Sequence, residues 1–307
     1  MLKQAENKVK IEGILNEINL EYGSYTKNGK PVECISGSIN IKVDQIINGE
    51  EVTCEVPVHM FSNKYKNDGS LNPAFTSIEK VKTSYVSAAA AAGTETEPDR
   101  VRITSADIRM NEYYSSADKL VSFPRINASF VNRIKKEECK PEATFELTFV
   151  VGQADFEVVN DENTGRYRVQ AIVPQYGGRV DIIPLIGASK GVVSAISTYW
   201  QEGETVKATG RLNFSSKTET ITIEQDFGEP IERTRTTNVS ELLITGGSQT
   251  PLDEEYSYKT EDIRQAIAER RDRLEAQKEK DLARAKSRKS STNTASSSNK
   301  PAFDLGF

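Results

Sequence analysis

Apolar and polar side chains alternate at period two, and turn-forming pairs break the alternation at short intervals. No other feature constrains this chain as much. From Glu33 to Val43, Ile35, Gly37, Ile39, Ile41 and Val43 share one face; Val52, Cys54, Val56, Val58 and Met60 do the same in the next run. That period belongs to strands with one face on a core, not to helices. Asn28-Gly29 and Asn48-Gly49 separate the runs, and Asn-Gly favours the two-residue hairpin turn because both residues accept positive φ. An earlier strand carries Val9, Ile11, Ile14 and Ile18, and Tyr22 to Pro31 reads as a turn-rich loop. Asn72-Pro73 then opens a helix through Ala74, Ile78 and Val81, since proline suits the first helical turn. Ser87 to Pro98, rich in alanine and then in Gly, Thr and Glu, reads as a mobile insertion. A fourth strand holds Val101, Ile103, Ala106 and Ile108, and a fifth runs from Leu120 to Ile134.

The same order recurs. Ala143 to Val159 forms a strand, Asn163-Thr164-Gly165 a turn, Arg166 to Val173 a strand, Gly177-Gly178 a turn, and Arg179 to Ile186 a strand. A helix over Gly191 to Trp200 follows, then strands over Glu204 to Phe214 and Glu219 to Asp226. Three strands, a helix and two strands is the order of the OB-fold, a five-stranded barrel. Trp200 to Leu212 resembles OB-fold proteins in particular: a Gly-acid pair (Gly203-Glu204) turns into a strand in which Gly210 permits the bend that closes a small barrel. The expected fold is mainly β, with two tandem OB-fold-like five-stranded barrels over 1–138 and 139–232. A linker is expected over 233–258, a charged helix over 259–289, and a disordered tail with an apolar tip over 290–307.

In the helix, Thr260 serves as cap, Glu261 and Asp262 suit the first turn, and Arg284, Lys286 and Arg288 suit the last. Ile263, Ile267, Arg270 and Leu274 give only a narrow apolar stripe, so the helix either docks on the body near its start or self-associates. No run is long and apolar enough to span a membrane, and Met1 to Glu6 has no apolar signal core. Cys34, Cys54 and Cys139 have no C-x-x-C spacing, which fits a reducing cytoplasm without a disulfide framework or zinc site.

No catalytic constellation stands out. The single histidine, His59, lies in an alternating strand and reads as structural, and no nucleophile elbow accompanies it. Gly23 to Lys30 fails as a phosphate loop, because its glycines are spaced one residue too far and Pro31 replaces the hydroxyl residue. Neither an enzyme nor a cofactor is expected.

What the chain does carry is aromatic and basic residues interleaved on strands and loops, the chemistry that holds single strands by stacking bases and tracking phosphates. Tyr22, Tyr25, Lys27 and Lys30 lie in the loop after the first strand. Tyr113 and Tyr114 follow the fourth strand, with Phe123, Arg125 and Phe130 on the fifth. In the second repeat the candidates are Arg166, Arg168, Tyr176, Arg179, Arg211 and Phe214. Phe145, Phe149 and Phe156 are expected in the core, Trp200 as a barrel plug, and Tyr167 and Phe123 suit either role. Arg133, Lys135 and Lys136 either extend a phosphate track or solvate a strand end. A net charge of −5 argues mildly against nucleic acid, so a basic stripe would have to be local.

Ser290 to Lys300 is polar, yet Pro301 to Phe307 brings Phe303, Leu305 and Phe307 beside Asp304. Folded barrels, a flexible linker and a short peptide ending in Phe resemble the bacterial single-stranded DNA-binding protein family. The likeness is incomplete: that family's tip is strongly acidic with Pro before the final Phe, whereas here Gly306 precedes Phe307. The resemblance implies single-stranded DNA as partner, protection during replication or recombination, and recruitment of replication or recombination proteins through Phe303, Asp304, Leu305 and Phe307. It also suggests a phage or mobile-element origin and action in the cytoplasm. The alternatives are an all-β phage structural or assembly protein without nucleic-acid binding, an RNA-binding barrel protein, and a recombination mediator acting through its tail.

Overall fold

The computed structural model describes residues 2–223 and 231–295, without the side chains of 217–233 and 284–295. The first strand-rich unit comprises β1 (Asn7–Lys27), β2 (Lys30–Ile47), β3 (Glu50–Asn63), α1 (Pro73–Ser84), α2 (Ala88–Ala91), β4 (Arg100–Tyr114), β5 (Leu120–Asn127) and β6 (Asn132–Ile134). The second comprises β7 (Glu142–Val159), β8 (Glu162–Pro174), β9 (Val180–Gly187), α3 (Lys190–Tyr199), β10 (Thr205–Ile223) and β11 (Ile231–Gly247), and α4 (Thr260–Ala295) follows.

Both units close by the same rule. β1 pairs antiparallel with β2 and β4, and β3 meets β5 in parallel at Val58 and Ile126, giving the ring β1-β2-β3-β5-β4. β7 pairs antiparallel with β8 and β10, and β9 meets β11 in parallel at Ile186 and Leu243, giving β7-β8-β9-β11-β10. A helix stands between the third and fourth strands of each ring, so the topology is that of two tandem OB-fold barrels.

Local chemistry explains the elements. Asn28 and Gly29 (φ 52° and 74°) and Asn48 and Gly49 (φ 52° and 88°) make two-residue turns with both φ positive. The Asn72 side chain accepts the Ala74 N–H at 3.1 Å and Pro73 opens α1, which buries Phe75, Ile78 and Val81. Ser189 caps α3, which buries Val193 and Ile196. Phe145 and Phe149 lie in the core. Trp200 plugs the second barrel, edge-on to Phe149 at 5.6 Å, with its Nε1–H donating to the Ser248 carbonyl at 2.8 Å. A buried side chain of this kind is worth about 1.5–3 kcal/mol over the exposed state.

The barrels share one eleven-stranded sheet. β1 from Asn7 to Glu12 pairs with β7 from Leu147 to Glu142, and β10 reaches β3 at Ser215 and Cys54. The buried Glu12 carboxylate accepts from Arg102 Nε at 2.6 Å and the Lys140 N–H at 2.5 Å, and these bonds hold it below the usual carboxylate range.

Several elements differ from the sequence expectation. Tyr22 to Lys27 is not a loop but the end of β1, paired through Lys27 and Lys30, because the Asn28-Gly29 turn is tight enough to carry the ladder to the tip. The Ser87 to Pro98 segment contains α2, capped by Ser87 and anchored by Ala91, and Asp99 accepts the Val86 N–H at 2.7 Å. The fifth strand stops at Asn127, where the Ala128 N–H turns to the His59 carbonyl, and β6 pairs separately with β4. The β7–β8 turn falls at Asn160 and Asp161 (φ 51° and 65°), ahead of the expected Asn163-Thr164-Gly165. Strands assigned to Glu204–Phe214 and Glu219–Asp226 are one strand, β10, as far as Ile223. The strand that closes the second barrel is β11, inside the expected linker 233–258; its buried Leu242, Leu243 and Ile244 are preceded by a polar arm whose residues 234–238 are all exposed. α4 continues to Ala295, past the expected end at 289.

Candidate nucleic-acid interface

The outward face of the first barrel gathers rings that strand alternation should have left polar. Phe61 on β3 lies 6.4 Å from Tyr25 on β1, and Tyr25 donates through its hydroxyl to Asn63 at 3.1 Å. His59 is the preceding outward residue of β3 and pairs with Asn127 of β5. Beside it, β4 and β5 align Arg109 with Arg125, Asn111 with Phe123, and Tyr113 with Val121, all on one side of the hairpin. Tyr25, Phe61, Phe123 and Tyr113 are 39%, 47%, 42% and 41% exposed. Lys27 and Lys30 stand at the β1–β2 tip, paired across the turn. A groove of about 420 Å³ lies among His59, Phe61, Arg109, Arg125 and Asn127. Burial, and then the nearby Arg125, hold the His59 imidazole below its usual range.

The groove shares Arg109 and Arg125 with a larger cleft of about 1260 Å³ between the barrels. Its walls are the β4–β5 hairpin, the turn from Tyr176 to Arg179 after β8, and α4. Six basic side chains line it, Arg109, Arg125 and Arg179 from the barrels and Arg270, Arg273 and Lys280 from α4, against the acidic Glu112 and Asp181. α4 is fixed there: Ile263 and Ala266 are buried with Val150, Ile172 and Val180. Arg270 pairs with Glu112, Gln277 donates to the Glu112 carbonyl at 3.0 Å, and Lys278 meets Asp118 at 2.8 Å. The helix docks near its start, as its narrow stripe allows.

Of the residues singled out in the sequence, Tyr25, Lys27 and Lys30 at the β1–β2 tip and Tyr113 and Arg125 on the β4–β5 hairpin share the open face, and Tyr176 and Arg179 border the cleft. The others are drawn elsewhere. Tyr22 faces α1, with its hydroxyl on Glu79 at 3.0 Å and Lys82 over its ring, because it lies on the opposite side of the hairpin from Tyr25. Tyr114 points to α4, its ring under Lys278 and its N–H on Asp281. Arg166 and Arg168 converge on the buried Glu157, at 3.5 and 2.6 Å, and Arg166 also meets Glu241 at 2.7 Å, so their charge is already compensated. Arg211 lies at the seam between the barrels, donating to Gln45 at 3.4 Å, and Phe214 packs on the core. Arg133 is held by Asp99 at 2.7 Å and Lys136 by Glu97 at 3.0 Å. Phe156, expected in the core, is 47% exposed near the β7–β8 turn, where it meets Tyr167 edge-on at 5.0 Å. Phe156 pairs with Tyr167 on the side of the ladder that carries Val169 and Ala171, but so near the turn its ring stays largely in water. Phe303, Asp304, Leu305 and Phe307 lie outside the described residues.

Sequence reasoning missed Phe61, Arg109 and the α4 cations. Phe61 had a signal: it is a large apolar residue at the polar parity after Met60. Arg273 and Lys280 had none, because nothing local tells which strand a solvated helix will cross.

The YorF family profile matches residues 5–280. The chain belongs to the YorF family. No match to a curated protein was found. Among solved structures, the wild-type single-stranded DNA binding protein from Thermus aquaticus is similar at 11% identity and a TM-score of 0.48, over 84% of this chain and 99% of that one. A deletion mutant of the same protein is similar at 10% identity and 0.48, over 82% and 98%. Among the described residues no cluster of three or more His, Cys, Asp or Glu could hold a metal, and no helix is long and apolar enough to cross a membrane.

Proposed function

We propose that this YorF-family chain binds single-stranded DNA along the open face of its first barrel and protects it during replication or recombination, making and breaking no bonds. The observation that carries the reading is the exposed row Tyr25, Phe61, Phe123 and Tyr113 with Arg125, which has no direct ion pair among the described residues. Rings left in water on a strand face suit unstacked bases, every one of which offers a π-face, and the guanidinium suits the phosphates between them. A duplex buries those faces, so it is a poorer ligand. On this reading the work is done in the cytoplasm, on a phage or host genome, and the 301–307 peptide recruits replication or recombination proteins.

Fluorescence anisotropy with a dT oligonucleotide, its duplex and an equivalent RNA, over a salt series, is the test. Tight binding to the DNA single strand, falling steeply with salt and weak on duplex, is the expected result. No binding at low salt removes the reading and leaves an assembly protein in front; preference for RNA changes the ligand. Deleting 303–307 is expected to leave DNA affinity unchanged and to abolish capture of purified replication or recombination proteins. Unchanged capture removes the recruitment role.

His59, the single histidine, provides a site-specific check. Its imidazole is expected to titrate below the usual value of about 6.5 in the free protein and to move upward when a strand neutralises Arg125. Imidazole NMR across pH, with and without saturating dT oligonucleotide, reads this directly. An identical titration in both states would mean that the strand does not run past His59.

A further inference from the structure

Arg125 and Arg109 are direct partners across an antiparallel ladder, where like charges destabilise each other. Arg109 has a counterion, Asp107 at 2.7 Å. Among the described residues the Arg125 guanidinium makes no hydrogen bond or direct ion pair, Asp107 acts on it only at longer range, and its Nε is buried without an acceptor. Burial and the neighbouring Arg109 pull it below the usual guanidinium range. Arg179, across the cleft, is also unpaired among the described residues, as are Arg273 and Lys280 of α4. The acids present do not answer this charge. Glu112 is engaged by Arg270, and Asp181 accepts the Met110 N–H at 3.3 Å while burial raises its carboxyl. Gln175, 4% exposed, lines the same cleft with its Oε1 buried and unsatisfied.

A half-buried guanidinium with no direct counterion is a weak point of the free protein that a phosphate would relieve. We propose that the cleft between the β4–β5 hairpin, the Tyr176–Arg179 turn and α4 is a second binding segment. It takes phosphodiester groups of the same strand, with Arg125 as their central ligand and Arg273 and Lys280 as the opposite wall. This rests on the single-strand reading above. The site suits a chain of phosphates rather than a lone ion: it is open, far larger than one anion, and continuous through Arg109 and Arg125 with the aromatic groove. The strand therefore leaves the first barrel beneath α4 and reaches Tyr176 on the second.

The experiment measures affinity for a dT oligonucleotide against salt for the full chain and for Arg125→Gln, the double variant Arg273→Gln/Lys280→Gln, and Phe61→Ala. Each phosphate contact on a single strand contributes about 0.7 to the slope of log K against log salt. Arg125→Gln is expected to flatten the slope by about that amount, and the α4 double variant by one to two such steps. Phe61→Ala is expected to lower affinity at unchanged slope. Arg125→Met, which removes the unpaired charge but keeps its packing, is expected to melt at or above the wild-type temperature in the absence of DNA. A wild-type slope in the α4 double variant would overturn the proposal while leaving the first-barrel interface, with Arg125 as its phosphate ligand, standing. A lower melting temperature of Arg125→Met with an unchanged salt slope of Arg125→Gln marks a structural arginine and overturns it too. Absence of wild-type binding overturns both readings together.

Discussion

Gly210→Ala is expected to lower folding stability by about 3 kcal/mol or more, at or beyond the upper end of the usual range for adding a methyl to a packed site. Gly210 lies in β10 where the register shifts, paired to β7 at Phe145 and to β11 at Ile244. A Cβ there would overlap the Leu243 carbonyl oxygen and the Phe145 ring. Neither neighbour can yield cheaply. Leu243 is held in the ladders that close the second barrel, and Phe145 is fully enclosed by the core. Urea unfolding followed by the fluorescence of Trp200, the single tryptophan and the plug of the same barrel, measures the loss. Gly191→Ala is the control. No atom lies within 4 Å of its would-be Cβ, and alanine in α3 should be neutral or stabilising by about 0.5–1 kcal/mol. Equal midpoints for Gly210→Ala and wild type would show that the barrel closes without the close approach at this position.

Replacing both Phe61 and Phe123 by alanine is expected to weaken single-strand binding on the order of 100-fold or more while leaving the fold intact. A base stacked on a ring is worth about 1–3 kcal/mol by truncation, which is roughly 5- to 150-fold per ring. The rings sit on different strands, β3 and β5, and the ladder partner of Phe123 is Asn111, so the two losses should nearly add. Both are nearly half exposed, and surface changes of this kind usually stay within about 0.5 kcal/mol of wild-type stability. Anisotropy with a dT oligonucleotide, paired with thermal melting, separates the two effects. A double variant that binds like wild type would remove the aromatic row from the interface, and with it the chief support for the proposed function.

The strands that were readable in the sequence are those with one wet face. β3 shows every buried residue at period two, and β2 does so apart from Cys34, because water on one side and core on the other sort the side chains. The Asn-Gly turns and the Asn72-Pro73 cap were equally plain, since each solves a local backbone problem. β11 was not readable. Its arm is exposed on both sides over 234–238, and a strand wetted on both faces carries no alternation. It is the second strand of a long hairpin with β10, from Ile223 and Ile231 to Ala208 and Gly247, and its polar arm gave no strand signal to extend. Phe156 shows the converse: an apolar residue in a good strand was assigned to the core, and its place near the β7–β8 turn left it in water.

The sequence by itself determined the barrel class, though not which residues form the last strand of the second barrel, and the supply of exposed aromatic and basic residues. Those follow from short-range sorting by water and from backbone preferences at a few turns and caps. Only the tertiary structure decided which of them meet. It placed Arg166 and Arg168 on Glu157, where their charge is spent. It brought Arg109, Arg125, Arg179 and Arg273, far apart in the chain, around one cleft. Charge compensation depends on distances of a few ångströms across closed ladders and docked helices, and such distances are set by barrel closure and not by neighbours in the sequence.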